Sequence, residues 1–386
     1  MFVHDEIFLT KNGNVYSNNL PFPILKRYLD QFSQVTVLAR SLEVEEIGDR
    51  SLASGDGIDF IFLESISTLR SYFGLRQKHH KVIESIVGSH DAVIVRLPSE
   101  LGAMTAKIAE QRHVKYLVEV VGCAWSVMWY YGGYRSKIYA PFFYLKIKNR
   151  VKKSNYTSYV TEQFLQNRYP SADGAKVISL SDVMLPDIDE DIVSQRLSKI
   201  EKKREKILFG TIGSLNVKYK GVDSTIEVLS KISQRYEDFE YHILGEGDPA
   251  EYQMIAERVG IGDKIFFDGT LPRGEAVYRW LDRMDIYLQP SLTEGLPRSV
   301  LEAMSRGCPV VASSVGGMPE LLDEDLIFDH KNQQRFFDLI WKMMNDKELM
   351  REYAMQNFSR SKEYQEKILN KKRNKFWLYF KEDINL

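Results

Sequence analysis

The sequence has little cysteine and no long apolar run. Cys123 and Cys308 are the two cysteines among 386 residues. A disulfide framework is therefore excluded, and a reducing compartment is predicted. The N-terminal stretch MFVHDEIFLT has no basic region followed by an apolar one, so no secretory signal is predicted. Because no apolar run approaches the ~20 residues that span a bilayer, we expect a cytoplasmic protein, free or attached peripherally to the inner face of the cell membrane.

The chain also lacks an excess of charge of either sign. Lys and Arg number 52 and Asp and Glu number 53, for a net charge of -1, so the composition does not favour a nucleic-acid partner. We see no cluster of His, Asp and Cys, and we predict neither a metal nor another cofactor. Asp187 and Asp189 spell D-x-D, which is a metal motif in some sugar-nucleotide enzymes. They lie in a charged stretch that is more typical of a solvated linker.

Alternating strand and helix patterns are present instead. Short apolar runs alternate with segments of helical periodicity such as 222–236, and the runs lack the polar alternation of half-exposed strands. This pattern predicts an α/β protein with two Rossmann-like, doubly wound parallel-sheet domains. The predicted strands are 35–40, 92–97, 115–121, 206–213, 240–245, 264–269, 285–291 and 308–314. The predicted organisation is an N-terminal domain (1–186), a linker (187–205), a C-terminal domain (206–365) and a C-terminal helix that packs back on the first domain (366–386).

Two loops of the second half suit an anionic ligand. In GTIGSLNVKYKGVD, a strand is followed by Gly213 and Ser214, and Lys220 precedes the start of a helix. Small residues allow a close approach of the backbone, and helix N–H groups with a lysine suit a diphosphate. Taken by itself, this stretch is better explained as an ordinary strand-to-helix loop with a solvated lysine. The same holds for the LGEGD turn at 244–248.

The stretch TEGLPRSVLEAMSRG contains two carboxylates at an informative spacing. Pro297 and Gly307 predict a helix over about 297–306, with Glu302 on the helix and Glu294 in the loop before it. In open α/β sheets, ligands bind at the carboxyl edge, where this loop lies. A carboxylate accepts two hydroxyl hydrogen bonds, which suits a ribose or a hexose. The alternative is a surface pair between Arg298 and Glu302.

The second half resembles the retaining glycosyltransferases of family 4, which have the GT-B fold. The matching strings are GTIGSLNVKYKG, YHILGEGDP, IFFDGTLPRGE and YLQPSLTEGLPRSVLEAMSRGCPVVASSVGGMPELL, over roughly 206–325. The sequences of these strings, together with VRLPSELG and EVVGCAW in the first half, are similar to those of bacterial surface-polysaccharide glycosyltransferases. The resemblance implies transfer of a hexose-type sugar from a nucleotide-diphosphate sugar to a glycan or a lipid-linked oligosaccharide. It also implies that the N-terminal domain (1–186) binds the acceptor and the C-terminal domain (206–365) binds the nucleotide sugar.

The resemblance also implies roles for individual residues. Glu294 and Lys220 are the implied catalytic residues, which orient the transferred sugar and bind the diphosphate. Glu302 is implied to hold the ribose hydroxyls. The remaining donor-binding residues are Gly213, Ser214, Gly269, Leu271, Gly295, Leu296, Pro297 and Arg298. Gly13 and Arg96 are implied on the acceptor or donor-phosphate side.

Two departures and two alternatives accompany this prediction. The family has an arginine where Ser214 stands, so Lys218 or Arg298 is expected to replace its charge. The family histidine of the first half is absent from VEVVGCAW, where Gly122 aligns. The implied co-substrate is a nucleotide-diphosphate sugar, with a UDP-sugar favoured over a GDP-sugar, and metal-independent chemistry is expected. A non-catalytic nucleotide-sugar-binding protein and a sugar-nucleotide epimerase are the alternatives.

The first half contains a basic aromatic segment over 131–156. Lys146, Lys148, Arg150, Lys152 and Lys153 lie beside four large apolar residues in this segment. A basic amphipathic segment can lie on an anionic membrane surface, where a polyprenyl-diphosphate-linked acceptor would be found. A core helix with a solvated basic face explains the pattern equally well.

Overall fold

The computed structural model describes residues 1–48, 50–64, 69–131 and 133–384. It divides into two compact units. The first contains Met1–Leu180 and the chain from Asn370 onwards, and the second is Ser181–Leu369. Gly132 of the basic aromatic segment and the last two residues of the predicted C-terminal helix lie outside the described residues.

The sheet of the first unit is parallel except for one short strand. Its strands are β1 (Phe2–Lys11), β2 (Asn14–Tyr16), β3 (Val35–Glu43), β4 (Ile58–Leu63), β5 (Val93–Leu97), β6 (Tyr116–Val120), β7 (Tyr156–Tyr159) and β8 (Lys176–Ser179). The order is β4-β3-β1-β5-β6-β7-β8, with β2 antiparallel to β1. The predictions at 35–40, 92–97 and 115–121 are confirmed as β3, β5 and β6. The sequence reasoning missed β1, whose apolar run is interrupted by Asp5 and Glu6.

The sheet of the second unit is entirely parallel. Its strands are β9 (Ile207–Ile212), β10 (Phe239–Leu244), β11 (Ile265–Gly269), β12 (Ile286–Gln289), β13 (Val310–Ser313) and β14 (Ile327–Phe328). The order is β11-β10-β9-β12-β13-β14, so the chain reverses its direction of growth between β9 and β12. All five predicted strands of this half are confirmed. Their side chains are largely buried, as expected of strands covered by helices on both faces.

Helices connect the strands in both units. They are α1 (Phe22–Lys26), α2 (Leu69–Val87), α3 (Glu100–Gln111), α4 (Ala124–Ser126), α5 (Tyr134–Lys152), α6 (Phe164–Arg168), α7 (Glu190–Glu201), α8 (Val222–Ser233), α9 (Ala250–Arg258), α10 (Glu275–Arg283), α11 (Arg298–Ser305), α12 (Met318–Leu321), α13 (Gln333–Asn345), α14 (Lys347–Ser361) and α15 (Glu366–Asp383). Within the described residues, no helix is long and apolar enough to cross a membrane.

The segment predicted as a linker, 187–205, forms helix α7 within the second unit. Arg196 on this helix is buried and donates hydrogen bonds to the backbone carbonyls of Leu281, Met284 and Arg306. Because a buried guanidinium with carbonyl partners holds its helix in place, α7 is a structural part of the unit. The charged sequence of α7 concealed this role, since it resembles that of a solvated segment.

The D-x-D motif in this region has structural partners. Asp187 forms an ion pair with Lys367, with 2.9 Å between Oδ1 and Nζ. Asp189 caps the N-terminus of α7 by accepting a hydrogen bond from the backbone N–H of Asp191 at 3.0 Å. Among the described residues, no three His, Cys, Asp or Glu side chains are grouped as ligands of a metal ion.

The C-terminal helix α15 contributes large aromatic side chains to the core of the first unit. Trp377 stacks on Tyr28 with 4.5 Å between ring centroids, and Phe380 lies edge-on to Tyr156 at 5.1 Å. Trp377 and Phe380 are almost completely buried in the same core cluster. The first unit therefore requires the end of the chain for its core.

Candidate active site

The candidate site lies at the carboxyl edge of the second sheet. The loops after β9 and β12 meet there, at the point where the strand order reverses, which is where open α/β sheets bind ligands. A cavity of about 430 Å³ occupies this edge. It is lined by eight residues that the sequence predicted for the site: Gly213, Lys220, Leu271, Glu294, Leu296, Pro297, Arg298 and Glu302.

Lys220 and Glu294 form an ion pair in the cavity. The Nζ of Lys220 lies 2.7 Å from Oε1 of Glu294, and the two side chains are 16% and 11% exposed. Gly213 makes this position of the lysine possible, because a Cβ there would lie 2.9 Å from Cγ of Lys220. The sequence placed these residues 74 positions apart, and the fold brings them into direct contact.

A network of buried polar groups fixes the carboxylate of Glu294. Ser291 Oγ donates to Oε1 at 2.7 Å, and Nε2 of Gln289 donates to the same oxygen at 3.4 Å. Gln289 in turn accepts hydrogen bonds from Tyr287 at 2.6 Å and Ser299 at 3.1 Å. Burial raises the pKa of Tyr287, so its phenol remains a donor. Among the described residues, every donor to Glu294, including Lys220, reaches Oε1 rather than Oε2.

Glu302 is buried on helix α11 and faces the same cavity. It is 7% exposed, so the alternative of a surface pair with Arg298 is wrong. Burial raises the pKa of the Glu302 carboxyl, and the charges of Arg298 and Arg273 oppose that effect. A carboxylate kept at such a cost in desolvation is typical of a functional group.

The start of helix α11 adds backbone donors to the cavity. Pro297 is the N-cap, and it makes no side-chain hydrogen bond to the helix. The first N–H groups of a helix have no partner within the helix, and here they belong to Arg298 and Ser299, which line the cavity. Val300, Leu301 and Met304 are completely buried, as predicted. Gly307 follows the helix with φ +58, which confirms the predicted C-terminal cap.

The glycine pair 316–317 supports the loop that carries Glu294. The backbone N–H of Gly317 donates to the carbonyl oxygen of Gly295 at 2.7 Å. Gly316 has φ +59, and a Cβ on it would lie 2.1 Å from the carbonyl oxygen of Glu294. The sequence motif GGMPE included this pair without showing its role. Only a residue without a side chain permits both the left-handed backbone and this close approach.

The other predicted residues do not line this cavity. Ser214 donates to the carbonyl oxygen of Glu246 at 3.4 Å, and Gly269 accepts from Gly245 N–H at 2.7 Å. Lys218 is 71% exposed and pairs with Glu251, with 2.5 Å between Nζ and Oε1. Of the two residues expected to replace the charge missing at Ser214, Arg298 therefore lies in the cavity and Lys218 lies outside it.

Gly13 and Arg96 belong to the first unit. Gly13 has φ +80 in the turn between β1 and β2. Arg96 lies on β5, with Nη1 3.6 Å from Oε2 of Glu119. Glu119 also accepts a hydrogen bond from the phenol of Tyr28 at 2.9 Å. These contacts give the partly buried Arg96 structural partners, and its predicted role toward acceptor or phosphate stays a prediction.

Seven residues that line the cavity were not among the predicted site residues: Ile212, Leu244, Gly245, Thr270, Arg273, Val277 and Ser299. Arg273 was visible as the basic residue of the LPRGE turn, two positions after Leu271, which was predicted to bind the donor. Ser299 carried no such signal, because its connection to Glu294 passes through Gln289.

Comparison with known proteins agrees with this geometry. Residues 206–346 match the family model described as Glycosyl transferases group 1. Protein CapJ of Staphylococcus aureus is 29% identical over 392 residues, which cover 100% of this chain and 96% of CapJ. The amylovoran biosynthesis glycosyltransferase AmsK of Erwinia amylovora is 37% identical over 114 residues, which cover 28% of each chain.

Solved structures show the same fold at low sequence identity. Sucrose-phosphate synthase of Thermosynechococcus elongatus superposes with a TM-score of 0.70 at 12% identity, covering 98% of each chain. HepE of Anabaena in complex with UDP superposes with a TM-score of 0.69 at 13% identity, covering 98% of this chain and 99% of HepE. The fold is GT-B, and the comparisons together support a glycosyltransferase.

Proposed function

We propose that this glycosyltransferase moves a hexose-type sugar, with retention, from a nucleotide-diphosphate sugar to a glycan or polyprenyl-diphosphate-linked acceptor in surface-polysaccharide synthesis. One observation carries the proposal. A single cavity at the strand-order reversal holds the Lys220–Glu294 pair and the buried carboxylate of Glu302. The name of AmsK supports the polysaccharide context, and the UDP complex of HepE supports UDP as the nucleotide.

We assign Glu302 to the ribose of the donor. A carboxylate accepts two hydroxyl hydrogen bonds side by side. Glu302 is 7% exposed, so such bonds would be shielded from water and correspondingly strong. Arg298 and Arg273 favour its ionised form.

We assign Lys220 and the first turn of α11 to the leaving diphosphate. Positive charge and preorganised N–H groups stabilise the charge that develops as the C–O bond breaks. The Nζ of Lys220 lies 2.7 Å from Oε1 of Glu294. A bound diphosphate would share this ammonium group, because a lysine has three donor hydrogens.

We assign Glu294 to the orientation of the transferred sugar. Its Oε1 is held by protein donors, while Oε2 is positioned for a sugar hydroxyl. In the proposed front-side reaction, the bond from C1 to the diphosphate oxygen breaks with its electrons on that oxygen. The acceptor oxygen bonds to C1 on the same face, and its proton passes to the departing phosphate. Glu294 forms no covalent bond in this scheme.

A panel of nucleotides and nucleotide sugars tests the proposal by thermal shift. A ligand at about 100 times its Kd stabilises the native state by about 2.7 kcal/mol, so UDP and at least one UDP-sugar should raise the Tm by several degrees. Glu302→Ala should lose this shift, whereas Glu348→Ala, which removes an 88% exposed carboxylate, should keep it. If no nucleotide raises the Tm of the wild-type protein, the proposal fails.

The donors that bind should then be offered with candidate acceptors. NMR of the product should show the anomeric configuration of the donor. Inversion would refute the retaining mechanism. Binding without hydrolysis or transfer to any acceptor would indicate a nucleotide-sugar-binding protein, and conversion of the donor alone would indicate an epimerase.

A further inference from the structure

Helix α5 presents a row of large apolar side chains to solvent. Tyr134, Ile138, Phe142 and Leu145 are 80%, 56%, 66% and 61% exposed. Their spacings of four, four and three residues place them along one side of the helix. We call these four residues the α5 apolar row.

The opposite side of α5 already supplies the contacts that hold the helix in the first unit. Ala140, Phe143, Ile147 and Val151 are buried there. Folding therefore does not account for the α5 apolar row. A helix that is apolar on both sides normally has both sides covered. Among the described residues, six of the sixteen exposed large hydrophobic side chains fall between Val127 and Leu145, and such a concentration marks an interaction surface.

The chain around the row contains positive charge only. No Asp or Glu occurs between Glu119 and Glu162, a stretch with seven Lys and Arg. Three of the seven turn toward α3: Lys146 pairs with Glu100, while Arg150 and Lys153 pair with Glu110. Arg135, Lys137 and Lys152 remain exposed.

Trp129 lies beside the row and has an interfacial character. It is 39% exposed, stacks on Trp125 with 5.4 Å between ring centroids, and has the ammonium of Lys137 5.6 Å above its ring. Trp and Tyr side chains concentrate at membrane–water interfaces, because their rings are apolar at one end and polar at the other.

We propose that the α5 apolar row inserts into the interface of an anionic lipid bilayer, with Arg135, Lys137 and Lys152 against the headgroups. The apolar insertion supplies the main attraction. The sequence hypothesis relied on Lys146, Lys148, Lys152 and Lys153, but the structure pairs Lys146 and Lys153 with carboxylates. Docking does not depend on the donor site. Its use for a lipid-linked acceptor rests on the proposed function.

A second copy of the chain is the competing occupant of this face. A symmetric dimer brings the same patch of both copies together. Here it would place the exposed cations of one copy against those of the other, with no acidic residue in the stretch to compensate. Anionic headgroups provide the complementary charge, so the bilayer is the better fit.

Vesicle sedimentation of the full chain tests the proposal. The probe is vesicles of phosphatidylglycerol and phosphatidylcholine at low salt, with phosphatidylcholine alone for comparison. The triple variant Ile138→Ser, Phe142→Ser, Leu145→Ser should bind the anionic vesicles at least tenfold more weakly than the wild type. The matched control Met254→Ser, Met355→Ser, Leu378→Ser, which removes exposed apolar side chains elsewhere, should bind within twofold of the wild type.

Two charge variants separate the exposed lysines from the paired ones. Lys137→Ala with Lys152→Ala should weaken binding by about fivefold for each charge removed. Lys146→Ala with Lys153→Ala should weaken it less. Acyl chains labelled with bromine should quench tryptophan emission of the wild type more than that of Trp129→Phe, because Trp129 lies beside the inserted row.

Several outcomes would overturn the proposal. The proposal fails if the wild-type protein does not bind anionic vesicles at low salt. It also fails if the triple variant binds them as well as the wild type does. A concentration-dependent dimer in ultracentrifugation that the triple variant abolishes, without vesicle binding, would identify a second copy as the occupant. The UDP-dependent thermal shift is measured on every variant: its presence shows that the variant is folded. Vesicle binding without any nucleotide shift would sustain docking while refuting the proposed function.

Discussion

Replacement of Glu302 by Gln should weaken donor binding and leave the protein at least as stable as the wild type. Gln keeps the size of the side chain but removes its charge. Charge-assisted hydrogen bonds contribute about 1.5–3 kcal/mol and neutral ones about 0.5–1.5 kcal/mol. For two ribose hydroxyls, the loss of binding free energy is about 2–3 kcal/mol, which corresponds to a roughly 30- to 150-fold weaker affinity for the donor.

The stability of the same variant should change in the opposite direction. Burial raises the pKa of Glu302 above its ordinary value of 4.5 in the folded protein. The folded state therefore holds this proton more tightly than the unfolded state, and the contribution of Glu302 to stability falls as pH rises from about 4.5 through the raised pKa. Gln has no such dependence. Its stability advantage over the wild type should grow across that pH interval and stay constant above it.

Calorimetry with UDP and urea unfolding measure the two effects on one variant. Wild-type affinity should also fall as pH is lowered through the raised pKa of Glu302, because the protonated carboxyl loses its charge. The affinity of Glu302→Gln should not show this dependence. Glu348→Gln, at an 88% exposed position, should behave as the wild type in both assays. Unchanged UDP affinity in Glu302→Gln, or a clear loss of stability at pH 7, would refute the reasoning.

Two further predictions concern the rate of transfer. Lys220→Ala should reduce turnover more than it weakens binding of a nucleoside monophosphate, because the proposed partner of Lys220 is the leaving diphosphate. Lys218→Ala, in the same turn but at a 71% exposed side chain, should keep normal turnover. If steady-state kinetics showed a fully active Lys220→Ala variant, Lys220 would have no part in the mechanism. Gly316→Ala should lower turnover at least tenfold, since its Cβ would meet the carbonyl oxygen of Glu294 at 2.1 Å and displace the loop. Gly260 has the same left-handed backbone, but a Cβ on it would have no atom within 4 Å, so Gly260→Ala should lower the Tm without lowering turnover. Equal activities of the two glycine variants would contradict the supporting role of Gly316.

The sequence predicted the second unit more completely than the first. Its five principal strands are short apolar runs buried on both faces, so periodicity and length sufficed to find them. Strand β1 was missed because Asp5 and Glu6 interrupt its apolar pattern. Both carboxylates are explained by tertiary contacts. That of Asp5 accepts hydrogen bonds from the backbone N–H groups of Glu100 and Leu101 at the start of α3, and that of Glu6 accepts one from Ser17 Oγ at 2.7 Å.

Within the candidate site, the sequence predicted Glu302 and Lys220 but not the residues that act on Glu294 through other groups. Glu302 and Lys220 are charged residues among apolar or small neighbours, and this contrast can be recognised from the local sequence alone. Ser299 acts on Glu294 through Gln289, and Gly316 acts on it through a backbone contact. Such relations depend on the loops after β12 and β13 meeting at one edge of the sheet, which local sequence does not specify.

The charge of the cavity bears on the arginine that the sequence lacks at Ser214. The lining contains three cations, Lys220, Arg273 and Arg298, and two carboxylates, Glu294 and Glu302. The lining residues therefore sum to a net charge of +1 when both carboxylates are ionised. Helix α11 adds the partial positive charge of its N-terminus. A diphosphate would enter a cavity with a net attraction for it even though Ser214 provides none, so the departure at Ser214 does not by itself argue against donor binding.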